Sequence, residues 1–555
     1  MANEKMSMDI IINDADTECV KVNGDSNNNA GEDDDRSGTK KETFKLLEGQ
    51  YSLEQVFDKC VGSFEIFQKL LTLYIVLFIG PLTSMNMISQ FLILLTPPHK
   101  CSLFDSIDGN DLNSTLSDLD NSTLFINSGN CLIRPITTNG THLPEVSCPK
   151  GWQYDHDLIY PTLVSEKDWV CHNQWQSLLP HSVYWCGATI GCFVFGALSD
   201  RFGRVWTTAA IFGLAGFSGL AGLLFADHYP MFVISRGLMG FAFTGSVTLV
   251  LVIEFVGLRQ RLLVSTGFVV SHSLTSAAWS TLAYIIGDWR ILLMISSCLQ
   301  FTVPIISIFT PESVRWLYSK GQTEKGAKIL KKIAKFNGRE IPDHIIDAIV
   351  FKKPKPVVLR DFIRYPRLTK NFVLVGIISI LNGIVYIGAN LYAARVVKNP
   401  FLVLTVNGTI DFFAGLVSKA LADKYGRKKI LMINLYITFI LYDITYFLSE
   451  HSIEFMLLFY TARLCVSMAF NILYLYAAEI VPTSFRSRAV STRLCLNNFG
   501  ALIAPILIAT HVYGAVIPLT LFGLTAVLAG ILTIFLPETL GVPLPETCED
   551  ANRLK

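Results

Sequence analysis

Runs of about 20 mostly apolar residues recur along this chain, each closed by a short charged or glycine-bearing turn. They lie near 67–96, 179–199, 205–226, 229–255, 262–286 and 290–310. After a polar interval they resume near 371–393, 399–422, 429–449, 453–478, 489–510 and 513–536. A helix needs about 20 apolar residues to cross a bilayer, so the pattern predicts twelve membrane helices in two sets of six. Two long polar stretches interrupt it: 97–180 after the first helix, and 311–370 between the sets. The second contains SKGQTEKGAKILKKIAKFNGRE, which reads as a basic amphipathic helical segment.

Charge alternates between the turns. RFGR (201–204), RQR (259–261), KYGRKK (424–429), RSR (486–488) and the basic 311–370 segment fall on one side. ADHYP (226–230), SEHS (449–452), HVYG (511–514) and the 97–180 loop fall on the other and are poor in Lys and Arg. The positive-inside rule places both termini and the 311–370 segment in the cytoplasm and the 97–180 loop outside.

Composition agrees with a membrane protein: 51% hydrophobic, 16% charged, mean hydropathy +0.43 and net charge +1. Nothing in that balance points to nucleic acid. Residues 1–44 are polar, acidic in the middle and nearly free of aromatics, as in NGDSNNNAGEDDDRSGTKKE, so the segment 1–55 reads as a disordered cytoplasmic tail. No basic, then apolar, cleavable leader precedes it, so the first helix itself serves as the insertion signal. The remaining boundaries are a first half over 56–310, a cytoplasmic linker over 311–370, a second half over 371–540 and a cytoplasmic tail over 541–555.

Four of the twelve cysteines, Cys101, Cys131, Cys148 and Cys171, lie in the 97–180 loop with three Asn-x-Ser/Thr sequons at Asn113, Asn121 and Asn139. An even cysteine count beside sequons implies an oxidising side, two disulfides of open pairing, and glycans. The loop is also a candidate homo-oligomer contact. A further sequon at Asn407 falls inside a predicted helix and is discounted.

The charged turns repeat. Asp200-Arg-Phe-Gly-Arg204 recurs as Asp423-Lys-Tyr-Gly-Arg427 (423 − 200 = 223), Glu254-x6-Arg261 as Glu479-x6-Arg486 (479 − 254 = 225), and Pro311-Glu-Ser as Pro537-Glu-Thr (537 − 311 = 226). Three motifs in one order at nearly one spacing imply a parallel duplication of a six-helix unit, the arrangement of major facilitator transporters. Gly196 and Gly203 allow close helix approach and a tight turn. Asp200, Arg201, Arg204, Glu254, Arg261, Glu312, Arg315, Asp423, Arg427, Glu479 and Arg486 are candidate gating residues, whose ion pairs form when the cytoplasmic rim closes and part when it opens. The alternative is a topology signal with solvated loop charge.

Those turns, with Pro311-Glu-Ser-Val-Arg-Trp-Leu317, are similar to sugar porters. CPKGWQYD (148–155), LVSEKDWVC (163–171), AYIIGDWR (283–290), AAEIVPTSFR (477–486) and LPETLGVPLPET (536–547) are more restrictive. With them the chain resembles the organic cation, zwitterion and organic anion transporters of solute carrier family 22, from about Val56 to Glu549. The sugar porters' glutamine-rich pattern is missing from GIISILNGIVYIGANLY (376–392). The resemblance implies an all-α membrane protein of the major facilitator fold, located in the plasma membrane, that transports small organic solutes and is not an enzyme. No phosphate loop or H-E-x-x-H site is present, and no cofactor or metal is expected.

Within that family the cation transporters carry a carboxylate twelve residues before the turn acid, here Asp411 (423 − 12 = 411). The lysine of anion transporters one turn later is Gly415 here, and the charged position on the eleventh helix is Asn498. An ionised Asp in mid-membrane costs about 2.5–3.5 kcal/mol on insertion scales, which marks a wet cavity or a helix–helix hydrogen bond. Tyr386, Asn382, Asn471, Tyr474 and His272 complete the candidate lining, the tyrosines suiting an ammonium group. Arg493 reads either as a displaced cavity cation or as a snorkelling rim residue.

The leading expectation is a facilitative, potential-driven organic cation transporter working by alternating access, with Asp411 as the only fixed cavity charge. The alternatives are an organic anion or zwitterion exchanger using Arg493, and a transport-inactive receptor or scaffold.

Overall fold

The computed structural model describes residues 53–554, apart from 63, 103–123, 128–130, 137–145, 149–150, 258–259, 350–363, 397–398, 450–451, 483–484, 515, 543–544 and 546. The sequons at Asn113, Asn121 and Asn139 and the tail ahead of Leu53 lie outside the described residues.

Twelve helices follow the predicted runs. The first half holds α1 (Ile66–Ile93), α2 (Gln174–Phe202), α3 (Arg204–Leu224), α4 (Tyr229–Phe241, resumed as Gly245–Ile253), α5 (Arg261–Ile286) and α6 (Trp289–Ser307). The second holds α7 (Pro366–Val396), α8 (Pro400–Tyr425), α9 (Arg427–Ile444), α10 (Ile453–Glu479), α11 (Arg486–Ile508) and α12 (Ile517–Ile534). Among the described residues, ten spans are long and apolar enough to cross a membrane. The other two are the interrupted α4 and the serine- and threonine-rich α5.

The break in α4 has a sequence cause. Arg236 and Arg463 each precede a phenylalanine, Phe243 and Phe470, by seven residues, but eleven residues separate Phe243 from Glu254 and only nine separate Phe470 from Glu479. The first half carries two extra residues there. A helix cannot absorb two residues without turning its face by about 200°, so α4 unwinds and restarts while α10 runs through.

Small residues set how closely the helices cross. A Cβ on Gly191 would fall 1.9 Å from Phe241 O, and one on Gly240 1.9 Å from Tyr184 O, so α2 and α4 touch backbone to backbone. Gly383 and Gly500 do the same between α7 and α11. Gly196, expected at a close crossing, has nothing within 4 Å of an added Cβ. Its role in helix approach is not seen here.

The buried apolar core is continuous across both halves at the end bearing the 97–180 loop, where Phe91, Trp289, Tyr392, Phe401, Phe459 and Phe522 belong to one cluster. At the opposite end it divides. Phe57, Phe212, Phe255 and Leu330 cluster within the first half, and Leu368, Leu431, Tyr476 and Ala529 within the second. Cross-half bonds reinforce the joined end: Ser182 Oγ donates to Leu502 O at 3.2 Å, and Thr281 and Thr405 hydroxyls lie 3.1 Å apart.

The polar segments are more ordered than the sequence reading allowed. The 97–180 loop forms two small antiparallel sheets, β1 (His99–Cys101) with β5 (Trp152–Tyr154), and β2 (Leu124–Asn127), β3 (Leu132–Ile136) and β4 (Val146–Ser147) in order. Its disulfides are crossed, Cys101–Cys148 and Cys131–Cys171. The Glu166 carboxylate takes both guanidinium nitrogens of Arg290 at 2.6 and 2.7 Å and Trp289 Nε1 at 3.1 Å. That clamp explains why SEKDW and GDWR occur together.

The boundaries at the other end shift. Leu53 and Val56 are already buried, so packing begins a few residues before 56. The helix Thr323–Phe336 lays Leu330 and Ile333 into the first half. Asn337 Oδ1 accepts from Phe67 N at 3.0 Å, and Arg339 pairs with Glu65 at 2.7 Å. The segment after 540 includes a helix, Cys548–Arg553, whose Asn552 Oδ1 takes the N–H groups of Arg367 and Leu368 at 3.0 and 3.4 Å. It caps the start of α7, where orphan donors require an acceptor.

Candidate functional site

The duplicated turns build two near-identical polar knots. Gly203 (φ 110°) and Gly426 (φ 102°) lie in a backbone region that side chains disfavour, and an added Cβ would fall 2.3 Å from Glu312 and 2.5 Å from Glu538. Each glycine is therefore required twice, by its backbone and by the carboxylate above it. Glu312 Oε1 accepts from Arg204 N at 2.9 Å, and Glu538 Oε1 from Arg427 N at 2.8 Å, a carboxylate on a helix N-terminus in each half. Burial pushes the Glu312 carboxyl above the ordinary carboxylate range, while N–H groups of Ser313, Arg204 and Val205 and the Arg204 charge pull the other way.

Arg204 pairs with Asp200 at 3.1 Å and Glu254 at 3.4 Å, and Arg427 with Asp423 at 3.0 Å and Glu479 at 3.2 Å. Both arginines also donate back to the end of the preceding helix, at Ser199 O of α2 and Ala422 O of α8. Arg261 Nε donates to Val256 O at 3.4 Å and Arg486 Nε to Ala478 O at 2.9 Å, while Glu479 Oε2 also accepts from Thr539 Oγ1 at 2.5 Å. Arg201 stands over Phe202, and Arg315 lies on the short helix Val314–Ser319 beside Glu312. The knots each lie within one half. They remain formed while the core at that end is divided.

Deeper in the second half, Asp411 on α8 is bound from three sides. Tyr386 Oη donates to Oδ2 at 2.9 Å, Ser467 Oγ to Oδ1 at 2.6 Å, and Arg463 Nη2 to Oδ2 at 3.1 Å. The Arg463 side chain is wholly buried and that of Asp411 is 21% exposed. Asp411 is thus not the only fixed charge: the buried Arg463 neutralises it. The sequence reading missed Arg463 because it stands alone in an apolar run. Its repeat partner Arg236, at the same distance from a phenylalanine, is the signal that could have found it.

Arg493 on α11 is the second departure. Only 2% of it is exposed, so it does not snorkel to a rim. Its guanidinium lies 4.4 Å from the Phe470 ring centre and 6.0 Å from that of Tyr474, and Nε, Nη1 and Nη2 have no hydrogen-bond partner. Phe470 in turn stacks on Tyr386 at 4.9 Å, and Tyr386 carries Arg463 at 4.2 Å. One aromatic stack therefore joins both arginines.

The other candidates distribute around this stack. Tyr474 is 42% exposed beside Arg493, and Asn471 Nδ2 donates to Ser467 O at 2.9 Å. Asn382 is buried with both amide atoms unpartnered, and Asn498 is buried on α11. His272 packs 6.3 Å from Phe268 on α5. Asn407 is buried within α8 and donates to Asn390 Oδ1 at 2.9 Å, in keeping with its discounted sequon.

Against known proteins, the "Sugar (and other) transporter" family matches residues 151–550. The human organic cation/carnitine transporter 2 is 30% identical over 434 residues, covering 74% of this chain and 76% of that protein. Solute carrier family 22 member 6-B of Xenopus laevis is 28% identical over 438 residues (75% and 78% covered), and human organic anion transporter 3 is 29% identical over 432 (74% and 78%). Among solved structures, the proton:xylose symporter XylE bound to 6-bromo-6-deoxy-D-glucose superposes with TM-score 0.53 at 20% identity, covering 68% of this chain and 90% of that one. That likeness speaks for the fold. The duplicated knots, the clamped loop and these relatives agree, and the chain belongs to the sugar (and other) transporter family of the major facilitator superfamily, among the solute carrier family 22 transporters.

Proposed function

We propose that this membrane transporter carries organic solutes bearing a carboxylate, as anions or zwitterions, by alternating access, and that Arg493 takes the carboxylate. One observation carries the reading: a buried guanidinium held only against aromatic rings, with no hydrogen-bond partner among the described residues, stands beside an Asp411–Arg463 pair that already cancels. An unpaired cation in the membrane interior is costly unless a counter-charge visits it. The Tyr474 ring, 42% exposed, lies 6.0 Å from that guanidinium. Names among the relatives allow both classes, since carnitine joins a carboxylate to a quaternary ammonium and another relative is an organic anion transporter.

The divided core opposite the 97–180 loop and the joined core beside it support alternation between two faces. With the positive-inside orientation, the divided face is cytoplasmic and the loop extracellular. Cation transport, the leading expectation from sequence, keeps one supporting observation: Asp411 is partly exposed beside two stacked rings, where an ammonium could displace Arg463. Uptake of labelled anion, zwitterion and cation panels in oocytes, with parent and Arg493→Ala, separates the readings. A scaffold role predicts no uptake of any panel.

A further inference from the structure

Arg236 on α4 is the first half's counterpart of Arg463, each standing seven residues before its phenylalanine. In the second half Asp411 neutralises the arginine at 3.1 Å. Asp411 lies twelve residues before the turn acid Asp423, and the residue twelve before Asp200 is Ala188. The first half keeps the cation and lacks the acid.

Arg236 and Ala188 are both fully buried. The Arg236 guanidinium leans on the Phe232 ring at 5.1 Å, and its Nε reaches Ser235 Oγ at 3.5 Å, but Nη1 and Nη2 have no hydrogen-bond partner. The Ser235 hydroxyl is itself engaged, donating to Phe232 O at 2.7 Å. A Cβ on Gly222 would fall 2.0 Å from Arg236 Nη2, and one on Gly219 2.0 Å from Ser297 Oγ, which is also buried and partnerless. Gly219 and Gly222 are neighbours on one face of α3. The guanidinium and the Ser297 hydroxyl therefore line one seam between α3, α4 and α6, each over one of two glycines a helical turn apart.

A guanidinium closed into a helical bundle needs a counter-charge, and among the described residues no carboxylate pairs with this one. We infer that the first half binds a small inorganic anion of the chloride class on Arg236, with Ser297 as a second donor. A monatomic anion accepts N–H and O–H bonds from any direction and is the smallest counter-charge such a seam could take. This site does not depend on the substrate reading for Arg493, which lies in the other half.

The test is thermal unfolding of the purified full chain in sodium chloride, sodium bromide and sodium methanesulfonate at matched ionic strength; the bulky sulfonate carries no carboxylate. Chloride and bromide raise the midpoint over methanesulfonate by about 2 °C or more, increasing with concentration, as a ligand of the native state does. Arg236→Gln loses that difference, and so does Ala188→Asp, which supplies the carboxylate the second half already has. Arg493→Gln keeps it. Equal midpoints for the parent in chloride and methanesulfonate overturn the inference, as does an undiminished halide effect in Ala188→Asp. If Arg236→Gln does not fold, crystals of the parent grown in bromide decide: anomalous density beside Arg236 supports the site, and its absence there removes it.

Discussion

The guanidinium of Arg493 lies 4.4 Å from the centre of the Phe470 ring, the same ring that stacks on Tyr386 at 4.9 Å. Through that ring an unpaired cation on α11 is tied to the Asp411–Arg463 pair on α8 and α10. Shifting Phe470 therefore moves both charges. Phe470→Ala is expected to weaken uptake more than tenfold while the protein still reaches the surface, whereas Phe470→Tyr, which keeps the ring, retains most activity. Phe470→Ala removes one cation–π contact, worth about 0.5–2 kcal/mol, and one ring stack, worth about 0.5–1.5 kcal/mol, together enough for such a loss.

Asp411→Asn carries a folding cost, because it strands Arg463 in the bundle. Breaking a buried pair from one side costs about 3–5 kcal/mol. Asp411→Asn should lower yield and unfolding temperature, and the double variant Asp411→Asn with Arg463→Met should recover much of the loss. If the double variant is as unstable as the sum of the singles, the pair is not coupled as described.

The turn glycines admit no side chain. Gly203→Ala and Gly426→Ala must adopt positive φ and push against Glu312 or Glu538, and are expected to lose more than 1 kcal/mol each. The measurement is the unfolding midpoint of each variant, set beside Gly196→Ala, whose Cβ meets nothing and which should change little.

The 97–180 loop makes a mapping prediction. Non-reducing peptide analysis should yield Cys101–Cys148 and Cys131–Cys171, which close loops of sequence separation 47 and 40. In the chain-entropy model each bond contributes about 4 kcal/mol, so Cys148→Ser should destabilise strongly. Recovery of a Cys101–Cys131 peptide would contradict the crossed arrangement.

The same loop predicts a pH dependence. Burial raises the Glu166 pKa, but the hydrogen bonds from Arg290 and Trp289, with the charges of Arg290 and Lys167, outweigh it and hold the carboxyl below its ordinary range. A carboxyl depressed in the folded state stabilises above its unfolded pKa of about 4.3, and the contribution disappears as pH falls through the folded value. The parent should lose stability on acidification below about pH 4.5 by roughly 1 kcal/mol more than Glu166→Gln does.

Much of the architecture was legible because charge is rare in this chain and therefore informative. Three repeated acidic and basic motifs marked the duplication, and the structure converts each into the same knot twice. The α4 break was hidden, since two extra residues in an apolar run leave the hydropathy unchanged. Asp411 was found through the family resemblance, which implies a carboxylate twelve residues before the turn acid, but its partner Arg463 carries no motif, and no spacing along one helix tells which acid on another it will meet. Arg493 was noticed with two readings, a displaced cavity cation or a snorkelling rim residue, because depth along a helix does not show whether neighbouring rings close over it. Here Phe470 does.

The central claim is that Arg493 selects a carboxylate, and potential-controlled uptake tests it most directly. A monovalent cation gains about 2.3 kcal/mol per 100 mV on entering an inside-negative compartment, a zwitterion gains nothing, and an anion is opposed. With labelled substrates in oocytes, we expect carboxylate-bearing solutes to be taken up, without loss on depolarisation by external potassium, and to lose uptake at least tenfold in Arg493→Gln. Uptake confined to cations, falling on depolarisation and unchanged in Arg493→Gln, would contradict the account and return the site to Asp411.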